Sequence, residues 1–227
     1  MLEKSGLITL ALMAAFLTSL ASPRLFSSIE TLYSYRVFQQ VSSGDVPAEA
    51  VFQKAHSHLV SAIDWVDSDF YWRQLSFLKL NQFNSSIELS SDVDSDIADL
   101  YATAEIAVSL MPADPYIWHD MYMIQSLYPE TLETALSALK MSIYVDRTNK
   151  NLLPSRLLFL WRNFVYWDAE MRSIFSSQLV LLWKSQPYLL IQIVKSNPGM
   201  SYFIKQALAN SPDDLIAFNK LKLKYGL

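Results

Sequence analysis

The chain has no cysteine, and that absence removes disulfides, thiolate nucleophiles and thiolate metal sites together. Glycine is scarce, at four residues in 227. Phosphate-cradling loops and tight hairpin turns both depend on glycine, so nucleotide-binding and β-rich folds are disfavoured. No Gly-rich phosphate loop and no Gly-x-Ser-x-Gly elbow occurs. Charge is thin as well: 18% of residues are charged, the net charge is −4, and no basic block exists. Nucleic-acid binding needs clustered Lys and Arg to neutralise phosphate, so no nucleic-acid partner is expected. What remains is apolar. At 52% hydrophobic residues the chain has too much to bury to stay disordered.

The first 24 residues read as a signal anchor or signal peptide. Residues 5–23 carry no charge, and 7–17 are almost wholly apolar. A run of that length just spans hydrocarbon, which takes about 20 helical residues. Ser19-Leu20-Ala21 also offers a small-x-small cleavage pattern. Lys4 on one side and Arg24 and Arg36 on the other leave orientation open by charge. An uncleaved anchor is expected, with residues 7–21 in the inner membrane, and the very short N-terminal tail favours a tail kept inside with the bulk of the chain in the periplasm.

The rest, 25–227, reads as all-α. Prolines stand where helices begin: Pro47 after Asp45, Pro115 after Asp114, Pro198 after Asn197 and Pro212 after Ser211. Each pair suits a cap followed by a first-turn proline. Apolar residues between these marks recur at helical spacing, as in Leu132, Ala135, Leu136, Leu139 and Ile143. Helices are expected near 25–41, 46–63, 68–83, 94–111, 115–127, 130–145, 153–166, 168–183, 187–195, 199–209 and 212–224. Residues 157–167 and 179–194 are rich in Leu, Ile, Trp and Tyr. Arg162, Lys184 and Pro187 interrupt them, so buried helices of an apolar end (153–227) are expected rather than spans.

A faint internal repeat runs from Ala62–Trp72 to Ala107–Trp118, with Trp72 and Trp118 in equivalent places. Pro112 six residues before Trp118, Ala107 five before Pro112, and the run Ala135, Leu139, Ser142 resemble tetratricopeptide repeats. The resemblance covers 99–147 and, more loosely, 47–83, so that the recognisable repeats lie within 47–147. Tyr122 where that pattern has glycine, and Arg147 near its second proline, depart from it. The resemblance implies a membrane or signal helix followed by an antiparallel helical-hairpin array, an α-solenoid. It also implies a concave groove lined by residues at set offsets from the marker tryptophan: Tyr116, His119 and Met123, with Phe70, Arg73 and Phe77 in the earlier unit. Such an aromatic and Met-lined groove suits a peptide or protein helix.

The anchor, the Pro112-x-Asp114-Pro115-Tyr116-x-Trp118 segment, the run 138–142 and the segment Pro154–Trp161 also resemble VpsP-type accessory proteins of bacterial polysaccharide biosynthesis. That resemblance implies accessory service to exopolysaccharide synthesis or export at the inner membrane; the anchor and the helix-hairpin pattern add the expectation of a non-catalytic scaffold or adaptor among those components. The alternative is a periplasmic chaperone or envelope assembly factor that binds clients through an apolar groove.

Candidate chemistry is sparse. Asp92, Asp94 and Asp96 open like a calcium loop, but Ile97 and Thr103 occupy the glycine and glutamate positions. An acidic helix start is the expected role. His56 and His58, two apart, diverge on a helix and cannot share a metal. Asp168 and Glu170 likewise diverge, which makes surface charges of them rather than a glycosidase pair. Arg156 is placed to stack on Trp161. No catalytic residue, metal or cofactor is expected.

Overall fold

In the computed structural model the protein is all-helical, with 83% helix and no strand among the described residues, 2–86 and 93–226. The α-helices are α1 (Leu2–Ser42), α2 (Glu49–Trp65), α3 (Asp69–Ser86), α4 (Val93–Leu110), α5 (Pro115–Gln125), α6 (Leu132–Val145), α7 (Leu153–Arg162), α8 (Ala169–Ser185), α9 (Pro187–Ser196), α10 (Met200–Ala207) and α11 (Pro212–Lys224). Short 3-10 turns occupy Pro129–Thr131 and Phe164–Tyr166. The chain divides into two compact units, Met1–Ala138 and Leu139–Leu227, with the boundary inside α6.

Four expectations need correction. The leader and the first body helix are one helix, because α1 runs straight through Pro23. Proline costs the bond its missing N–H would have given to Ser19, and the Ser22 hydroxyl donates to that carbonyl instead, at 3.2 Å. Pro47 does not sit in a first turn: α2 starts at Glu49, and extended Ala48 accepts its first helical bond from Phe52 N–H. Pro198 precedes α10 rather than opening it, and the Asn197 amide donates to Ile193 O at 3.0 Å, closing α9. The helix expected over 153–166 stops at Arg162. The Asn163 amide and the Trp167 indole take the carbonyls of Phe159 and Leu160 at 2.9 Å, and so turn the chain.

In the first unit each helix from α1 to α4 packs on the next, and α1 also meets α3, as α3 meets α5. Val37, Phe52, Ala55, Leu59, Leu75 and Leu78 form a buried cluster. Small Ser27 and Ser34 on α1 are buried as well, and Ser27 Oγ accepts from Tyr71 OH at 3.2 Å. The two repeat tryptophans do one job. Trp72 donates its indole N–H to Asp67 at 2.6 Å, and Trp118 donates to Pro112 O at 2.8 Å. Each ring thereby folds back over the joint that precedes its own helix.

In the second unit α8 packs on α7, α9 and α10, and α9 on α11. Leu157, Leu160, Phe175, Leu179, Leu182, Leu190, Ile191 and Val194 are buried, as expected for this apolar end. Trp161 stacks with Phe164 and Phe175 and meets Phe203 edge-on. Gly199 lies under the Trp161 ring, where a Cβ would come within 3.1 Å.

Arg156 is wholly buried and does not serve Trp161 as expected. Positions five apart on an α-helix point about 140° away from each other. Its guanidinium instead reaches the end of α6, donating to Ser142 O at 2.5 Å, Asp146 O at 2.8 Å and Ser142 Oγ at 2.9 Å. A fixed cation thus meets the carbonyls at the negative pole of the helix. A lysine has one ammonium and cannot bridge these separated acceptors. Arg156→Lys is therefore expected to destabilise this unit by about 2 kcal/mol, read as a lower urea midpoint at unchanged slope.

Candidate functional site

The six groove candidates lie on α3 and α5, which pack together in the first unit. α5 starts where it does because Asp114 Oδ1 accepts from Tyr116 N at 2.8 Å and Pro115 fills the first turn. The second oxygen of the same carboxylate, Oδ2, lies 3.1 Å from Arg73 Nε. The Arg73 guanidinium also covers the Tyr116 ring, 4.9 Å from its centroid. Arg73 and Tyr116 are thus brought together as the repeat offsets imply, around a carboxylate that those offsets did not name.

One turn on, Ile117, Asp120, Met121 and Ile124 form the buried face of α5. Helical period alone forces a carboxylate inside. Asp120 is 4% exposed, and its Oδ1 lies 3.3 Å from His119 Nδ1. Burial pushes its carboxyl above the usual range. The hydrogen bond and charge of His119 and the charge of Arg73 act the other way, while Asp114 adds to the rise. The His119 ring meets Tyr122 edge-on at 4.8 Å. The resulting group is polar and partly buried: Arg73, Asp114, Tyr116, His119 and Asp120.

The remaining candidates do not join it. Phe77 turns into the core and packs on Phe38 of α1 at 4.8 Å. Phe70 is exposed in the first turn of α3, edge-on to Tyr71. Met123 is half-buried on α5. Asp120 was missed although its signal was present, because it shares the period of Ile117 and Ile124.

The other candidates fall elsewhere. Asp92 lies outside the described residues, while Asp94 and Asp96 open α4, and Asp94 accepts from Tyr128 OH at 2.7 Å. His58 Nδ1 lies 2.6 Å from Glu30 Oε2 of α1. His56 stands apart from it, its pKa lowered by burial and then by the charge of Lys79. Asp168 caps α8 through Met171 N at 2.6 Å, and Glu170 takes hydrogen bonds from Lys140 and Tyr144. The Met171 N–H lowers the Asp168 carboxyl, and Lys140 with Tyr144 lowers that of Glu170. A glycosidase acid needs the opposite shift.

Comparison of the chain with protein-family models, with curated proteins and with solved structures finds no match.

Two predictions follow from this geometry. Asp114→Ala removes the α5 cap and the Arg73 partner together and is expected to cost about 2 kcal/mol by denaturant unfolding; Asp114→Ser keeps a cap and loses less. Asp120 titrates higher in the folded than in the unfolded chain, so the folded state holds its proton more tightly. Stability from this group is complete below the ordinary value of 3.8 and falls as pH rises through the raised one. Asp120→Asn should therefore melt like the parent at about pH 3.5, and at a higher temperature than the parent at neutral pH.

Proposed function

We propose that the protein is a membrane-anchored, non-catalytic scaffold or adaptor that serves polysaccharide assembly from the periplasmic side of the inner membrane. One observation carries the anchor. Within α1 the residues from Thr9 to Ala21 are exposed throughout, Leu10 at 72% and Leu12 at 67%, and α1 alone among the described helices is long and apolar enough to cross a bilayer. A soluble core helix would bury such a face, whereas a helix whose solvent is lipid leaves it bare.

The body is read as a diverged tetratricopeptide-like solenoid. Its support is the neighbour-plus-next packing of α1 to α5 and the matching indole contacts of Trp72 and Trp118. In this reading the group around Arg73 and Tyr116 orients a protein partner rather than performing a reaction. The polysaccharide assignment rests on the sequence resemblance of the anchor and of the segments 112–118, 138–142 and 154–161.

The reading predicts that the full chain resists alkaline carbonate extraction and that an alkaline phosphatase fused at its C-terminus is active. An active cytoplasmic reporter at that end, with silent phosphatase, would overturn the orientation. Purification from detergent is expected to bring down a defined glycan-synthesis or export component, and Arg73→Glu to release it. Recovery of heterogeneous unfolded clients instead would favour the chaperone alternative.

A further inference from the structure

α1 carries a face that no described residue covers. Ala11, Ala15, Thr18, Ser22, Leu25, Ile29, Leu32 and Arg36 follow one another at alternating steps of four and three residues, the spacing of a coiled-coil seam. Ser22 is half-buried and the others are exposed. Leu25, Ile29 and Leu32 remain 59%, 54% and 69% exposed although the opposite side of the same turns, at Ser27 and Ser34, is fully packed.

Lipid does not account for this outer stretch. The uncharged run ends at Arg24, and Leu32 stands about 12 Å beyond it along the helix axis. Glu30, in the same turns, lies 2.6 Å from His58, so these turns run through a polar setting. Large apolar side chains there need a protein cover.

The inner stretch agrees in detail. Met13, Phe16, Leu17 and Leu20 lie off the seam, where they face lipid, and the seam itself is built of small residues. Small residues allow two helix backbones to approach closely within a bilayer. The seam hydroxyls are satisfied within the helix, Thr18 on Ala14 O at 2.8 Å and Ser22 on Ser19 O. They place no demand on a polar partner.

We propose that α1 pairs with α1 of a second copy as a parallel, two-stranded coiled coil running from the membrane into the aqueous stretch. A second copy fits because two chains inserted in the same sense bring identical seam residues to the same depth, small against small and Leu against Leu. Leu at d positions 25 and 32 with β-branched Ile at a position 29 is the combination that favours two parallel strands. Arg36 at the next a position ends the apolar seam, and a slide of one heptad would bury its charge against Ile29. The inner half of the seam rests on the membrane reading above; the outer half stands on exposure alone.

The cysteine-free chain makes the test direct. Single-cysteine variants of the full chain are oxidised mildly in native membranes. Thr18→Cys, Ser22→Cys, Leu25→Cys, Ile29→Cys and Leu32→Cys are expected to give disulfide-linked dimers, and Phe16→Cys and Leu20→Cys to stay single. In detergent the unaltered chain should have twice the monomer mass, and Ile29→Lys should halve it. Because Ile29 is more than half exposed on the single chain, its variant should keep the parent's helical circular dichroism, which separates a lost dimer from an unfolded chain. A monomer or trimer mass for the unaltered chain, or equal cross-linking on all faces, overturns the proposal. Carbonate extraction keeps the two readings separate: a chain stripped from membranes that still cross-links with the seam period is a dimer without the anchor.

Discussion

The Asp114 carboxylate acts twice, and the first unit depends on both uses. One oxygen starts α5 by accepting from Tyr116 N, and the other holds Arg73 of α3. Because the carboxylate is fixed as a cap, the Arg73 guanidinium is fixed too, and Tyr116 gains a cation over its ring. Asp120 is buried one turn later among these charges, and burial raises its carboxyl above the usual range. Start, orientation and electrostatics of α5 therefore share one origin.

The shortage of glycine explains how the helices end. Helices commonly close on a glycine in the left-handed region, and here only Gly44 and Gly226 adopt positive φ among the described residues. At three other helix ends side chains take terminal carbonyls. Arg156 closes α6, Asn163 and Trp167 close α7, and Asn197 closes α9. Each of these groups also fixes a neighbour. Trp167 lies against Phe175 and Phe203, and Arg156 ties α7 to the end of α6. An apolar chain poor in turn residues thus gains order from polar atoms used at helix ends.

α1 shows the opposite economy. Its inner half presents large apolar side chains with no cover, and its outer half is packed on one side only. One uninterrupted helix joins the two, so any motion or pairing of the apolar half reaches the body without a flexible link. At Pro23 the helix continues, and the Ser22 hydroxyl takes the Ser19 carbonyl that the proline leaves free.

Helix number and most boundaries were legible in the residues, because apolar period and the Asp114-Pro115 cap are local signals with local causes. The same holds for the apolar N-terminal run. The candidate site was legible only in part: Arg73 and Tyr116 meet, but Phe77 turns into the core, since α1 packs on the face that the repeat offsets assign to a groove. The unbroken run of α1 through Pro23 was not legible, because the hydroxyl that takes the freed carbonyl depends on the Ser22 rotamer. By itself the sequence determined the helical class and where chain direction changes, both governed by contacts within a few residues. Only the tertiary structure decided that Arg156 is buried on the carbonyls of α6, that Asp114 holds Arg73, and that one face of α1 stays open. Those outcomes depend on which distant helices share space, and no local pattern encodes that.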